Sequence, residues 1–117
     1  MKDLRISTEL ASAVLGKEVT KCSLINKARN SINITYFEDK EDFNTICREW
    51  NIYEFAFKCK ECANERGYTI TSNFQVALIN YNYEINITRP IKVIFYKKYE
   101  IEAIIEACEW ILKQTGN

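Results

Sequence analysis

Cys59-Lys60-Glu61-Cys62 is the spacing in this chain closest to known chemistry, because C-x-x-C serves both thiol redox centres and zinc sites. A redox pair is activated at a helix N-terminus, where the dipole stabilises thiolate. Here the two cysteines fall in the second half of a helix expected over 52–66, where the dipole opposes it. A structural zinc site would need two further ligands from Cys22, Cys47, Cys108 or a carboxylate, and none of these forms a second close pair. The motif therefore reads as two ordinary helical cysteines. Metal binding is the lesser reading, redox activity the least, and no metal or cofactor is expected.

The chain has no histidine, so the commonest general base and metal ligand is missing. Carboxylate pairs such as Glu38 with Asp39, Glu41 with Asp42, and Glu102 with Glu106 lie on segments that read as solvated faces. There is no phosphate-binding glycine loop and no nucleophile elbow. An enzyme is not expected, and no catalytic residue is assigned.

Binding chemistry is better represented. Arg89, Lys92, Lys97 and Lys98 bracket Phe95, Tyr96 and Tyr99 and adjoin Tyr81 and Tyr83, an interleaving that suits a single-stranded nucleic-acid platform. Sixteen basic residues balance sixteen acidic ones, however, and a neutral chain offers phosphate little attraction. Trp50, Tyr53, Phe57, Tyr81, Tyr83 and Trp110 are too many large aromatics for one small core. Those left outside would be anchors for a protein partner or a second copy of the chain. The residues expected to contact a partner are Trp50, Tyr81, Tyr83, Tyr96, Trp110, Arg89 and Lys92.

Positioning these groups falls to a chain of 117 residues, 47% hydrophobic, with three glycines and one proline. That is the size of one domain, spanning 1–117, and rich enough in apolar residues to fold throughout. Ser7 can cap a helix over 8–15 that Gly16 ends. Alternation from Val19 to Ile25 and from Ile32 to Tyr36 predicts a hairpin. Phe43, Ile46, Cys47 and Trp50 fall at helical spacing and predict a short helical turn. Asn51-Ile52-Tyr53-Glu54 has the form of a capping box opening the helix 52–66, with Ile52, Phe55, Ala56, Cys59 and Ala63 as its apolar stripe. Residues 68–87 divide into two or three strands at 71–73 and 80–82. A strand over 91–97 and a helix over 99–114 complete the order. The fold class is α+β: three helices and a mostly antiparallel sheet of about five strands, αββ-α-βββ-α, with no sequence repeat and helices on both faces of the sheet.

No segment approaches the roughly 18 uninterrupted apolar residues that span a bilayer, and the N-terminus lacks an apolar run. Five scattered cysteines read as reduced thiols, which places the protein in the cytosol. Without a secretory route, the triplets at Asn33 and Asn86 carry no glycosylation signal.

Two longer segments, residues 6–16 (ISTELASAVLG) and 101–112 (IEAIIEACEWIL), taken with Asn51-Ile52-Tyr53-Glu54-Phe55-Ala56 and Gly67-Tyr68, resemble small phage and prophage proteins of the ABA-sandwich kind. The resemblance spans most of the chain, which departs from the pattern in its longer, Asn- and Tyr-rich segment 73–88. It implies a fold and a genomic setting, and brings no catalytic residues. In that setting a small accessory protein would counter host defence, for instance by inhibiting a CRISPR effector in the host cytosol.

Overall fold

The computed structural model describes residues 5–26, 28–39, 41–81 and 93–115. The chain is α+β, with three helices and two antiparallel sheets of three strands each. It divides into two compact units, Met1–Phe55 and Ala56–Asn117.

In the first unit, helix α1 (Thr8–Leu15) begins where Ser7 accepts the Leu10 N–H at 3.1 Å. It ends at Gly16, whose φ of 65° lies in the left-handed region and whose N–H donates to the Ser12 carbonyl at 2.9 Å. Strand β1 (Val19–Cys22) follows and pairs with β2 (Ser31–Asp39), which pairs in turn with β3 (Asn44–Asn51). Val19 and Cys22 are both buried while Lys21 between them is exposed. A register shift between Val19 and Lys21 accounts for this, since one extra residue reverses the strand's facing. The expectation of Val19, Lys21, Ser23 and Ile25 along one face gives way to that bulge.

Residues 44–51 are a strand, which corrects the helical turn expected over Phe43–Trp50. The apolar spacing of three, four and seven also contains a period of two: Ile46, Arg48 and Trp50 stand opposite Tyr36, Ile34 and Ile32 across the ladder. Strand β2 has backbone donors and acceptors on this side that need partners, and β3 supplies them along eight residue pairs.

Helix α2 (Ile52–Glu65) opens at the boundary of the units with Asn51 Oδ1 accepting the N–H of Tyr53 at 2.9 Å and of Glu54 at 3.2 Å. Its expected stripe, Ile52, Phe55, Ala56, Cys59 and Ala63, is buried throughout. After Gly67 come β4 (Tyr68–Asn73), β5 (Val76–Tyr81), β6 (Val93–Tyr96) and α3 (Glu100–Gln114). The β4–β5 turn sits at Phe74-Gln75 rather than at 71–73, which stay in the strand. Helix α3 packs on all three strands of this second sheet, burying Ile101, Ile104, Ile105, Cys108, Ile111 and Leu112. Tyr83 and the start of the strand expected from 91 lie outside the described residues.

The described strands number six in two sheets, where one sheet of about five was expected. Each sheet is a meander with its strands in chain order, preceded by a helix that ends near a left-handed glycine, Gly16 or Gly67. The repetition is one of architecture, since the sequence carries no repeat. Replacing Gly16 by Ala places a Cβ in open space, so steric clash is not the cost. The cost is the left-handed backbone, and urea unfolding is expected to show a loss of about 1–2 kcal/mol.

Candidate functional site

Strand β3 carries the densest set of binding groups in the first unit. One of its edges is covered by β2, and no described strand pairs with the other. Trp50 stands half-buried on the same face as Ile32, and Arg48 stacks over it with its guanidinium carbon 5.0 Å from the ring centroid. Arg48 lies opposite Ile34, which is fully buried, yet is itself exposed. The apolar cover that closes over β2 does not reach Arg48, while Ile46 and Trp50 on the same face stay half-buried.

Phe43 precedes the strand with φ 56° and is 79% exposed. A left-handed turn position is ordinarily filled by Gly, Asn or Asp. A phenylalanine there bears backbone strain and leaves its ring in water, so the fold itself does not account for it. On the opposite face Arg29 pairs with Glu49 at 3.0 Å, holding the β2–β3 end against the turn after β1.

The remaining residues expected at a site are distributed differently. Trp110, half-buried on α3, meets Tyr68 edge-to-face at 6.1 Å and 90°, a packing arrangement within the second unit. Tyr96 on β6 is 71% exposed and stands opposite Val76. Tyr81 ends β5 opposite Tyr68. Tyr83, Arg89 and Lys92 lie outside the described residues. Of the aromatics judged surplus to the core, Tyr53 and Phe57 are exposed. Sequence reasoning missed Phe43, Phe74 and Arg48. The first two occupy left-handed positions usually taken by Gly or Asn, and Arg48 matters only once 44–51 is known to be extended.

Lys97, one of the bracketing basic residues, is bound to Glu106 at 2.8 Å, and that pairing raises its pKa. The same contact occupies one member of the Glu102–Glu106 pair.

The C-x-x-C cysteines are buried, and the structure adds a third thiol beside them. Cys108 Sγ reaches the Cys59 carbonyl at 3.7 Å, and Cys62 hydrogen-bonds with Cys108. Hydrogen bonding to Cys108 and then burial hold the Cys62 thiol far above its ordinary range; hydrogen bonding to Cys59 does the same for Cys108, while burial raises Cys22. All five cysteines are free, and Cys47 on β3 is the exposed one. Among the described residues no group of three or more His, Cys, Asp or Glu side chains is placed to hold a metal ion. No helix among them is long and apolar enough to cross a membrane. No family model, curated protein or solved structure matches the chain.

A thiol reagent at neutral pH is expected to label one cysteine per folded chain, lost in Cys47→Ser, with the other four reacting only in denaturant. The buried thiols also set a pH dependence. Cys22, Cys62 and Cys108 stay protonated in the fold where unfolded thiols ionise, so their contribution is complete below the ordinary thiol value of 9.0 and is lost as pH climbs above it. Urea midpoints should fall between pH 8.5 and 10 in the wild type and fall less in Cys62→Ala.

Proposed function

We infer that the chain is a non-enzymatic protein-binding module whose contact surface is β3 with its flanking turn. The observation that carries this reading is the Arg48–Trp50 pair on an edge strand, with exposed Phe43 in the turn before it. Trp and Arg are the side chains most often found to dominate binding energy, and a pre-stacked Arg–Trp pair loses little freedom on docking. The strand's free backbone edge adds a second mode of recognition, by strand addition.

The resemblance to small phage and prophage proteins supplies the first partner class to test: a bacterial defence complex such as a CRISPR effector, met in the host cytosol, where five free thiols would persist. Purified effector complexes titrated with the protein and followed by calorimetry provide the test. Trp50→Ala is expected to weaken a productive interaction at least tenfold, while Lys113→Ala, at the exposed end of α3, leaves it unchanged. An affinity indifferent to Trp50, Arg48 and Phe43 would remove the assignment.

The nucleic-acid reading keeps Tyr96 as an exposed stacking surface, but Lys97 beside it is engaged by Glu106. It requires affinity for oligonucleotides that falls steeply with salt. The metal reading finds no ligand set of three among the described residues, Cys59, Cys62 and Cys108 included, and metal analysis of the purified protein decides it.

A further inference from the structure

We propose that β3 pairs with β3 of a second copy of this chain, antiparallel about a two-fold axis through Cys47, to give a continuous six-stranded sheet. The inference rests on reading β3 as a docking strand and names its occupant.

The hydrogen bonds of β2 determine which backbone groups β3 offers. The Phe37 N–H donates to the Glu18 carbonyl, the Asn33 carbonyl accepts from Ser23, and the Thr35 carbonyl accepts from the Thr20 hydroxyl. Odd-numbered residues of β2 thus point their backbone groups at β1, so Ile32, Ile34 and Tyr36 point theirs at β3. Their partners there are Trp50, Arg48 and Ile46. The Ile52 N–H donating to the Asn30 carbonyl continues the same parity. Thr45, Cys47 and Glu49 are left with N–H and C=O directed at the outer edge, and all three residues are exposed.

An unprotected edge of this length is a template for another strand. Proline and lysine, two of the devices that usually blunt one, are missing from Asn44–Asn51, and its two charges are engaged within the unit, Arg48 over Trp50 and Glu49 with Arg29. Charge selects both the partner and the register. The chain has a formal net charge of zero, so two copies do not repel at a distance. A two-fold at Arg48 would set Arg48 against its own copy, and one at Glu49 would do the same with Glu49. A two-fold at Cys47 sets Arg48 opposite Ile46 and Glu49 opposite Thr45, with no like charges directly opposed. It also pairs every residue from Asn44 to Trp50 and uses each outward backbone group of Thr45, Cys47 and Glu49. The contact is isologous and closes at two copies.

In this register the two Cys47 residues form a hydrogen-bonded pair with Cα atoms about 5.5 Å apart, inside the range a disulfide can span. Cys47 therefore reports the register without any added label. Light-scattering mass across the micromolar range should give twice the chain mass for the wild type. Diamide should trap a covalent dimer that is absent in Cys47→Ser, although Cys47→Ser keeps the doubled mass. Cys47→Lys should halve the mass with its circular dichroism unchanged. Should that variant fail to fold, Thr45→Pro, which removes an outward N–H and leaves the β2 ladder intact, should halve it instead. A wild-type protein that stays monomeric, or a dimer that survives these edge substitutions and is not trapped through Cys47, overturns the proposal. A monomer that still binds a foreign effector through Trp50 overturns self-pairing alone and leaves the docking-strand reading intact.

Discussion

The burial of Ile32, Ile34 and Tyr36 on one face of β2 is the constraint from which the first unit follows. Three large side chains alternating along a central strand fix its pleat, and the pleat fixes which backbone groups turn to each neighbour. β1 accommodates the pattern only with a bulge, which returns Cys22 to the buried face. β3 must accept the register dictated to it, even though its own apolar spacing would also suit a helix. The outward set of groups on β3 is a consequence of side chains one strand away.

The second unit is organised around helix packing. Small and medium side chains, Ala103, Ala107 and Cys108, are buried together with isoleucines on α3, the helix that packs on the sheet. Cysteine serves there as a compact apolar residue whose S–H reaches the Cys59 carbonyl of α2. Thiols in such surroundings are poor nucleophiles, and the position of the C-x-x-C along its helix is consistent with that. The chemistry suggested by the motif and the packing demanded by the core pull in opposite directions, and the packing prevails.

Much of the fold was legible in the sequence wherever local chemistry was decisive. Ser7 and Gly16 bound α1 at the residues expected, and Asn51 caps α2 through the predicted N–H groups. The errors arose where a segment satisfied two patterns at once or where a left-handed position held neither Gly nor Asn. Residues 43–50 fit both helical and alternating periods, and only the needs of β2 separate them. Phe74 occupies a left-handed turn without the Gly or Asn that would announce it. Division of the strands into two sheets depends on which strands pair, which the periodicity along a single strand does not encode. At the candidate site, Trp50 was visible as an aromatic in excess of the core. Its stacking with Arg48 was not, because two residues apart they share a face only in a strand.

Both sheets are meanders in which every described strand pairs with the described strand next to it in the chain, a feature that bears on how the molecule is made as well as on what it binds. Among the described ladders none joins strands from opposite ends of the chain, which keeps the entropic cost of closing them low. All three strands of the first sheet lie within the first 51 residues, ahead of α2, which Asn51 caps. During translation the exposed edge of β3 would then exist before the second unit does.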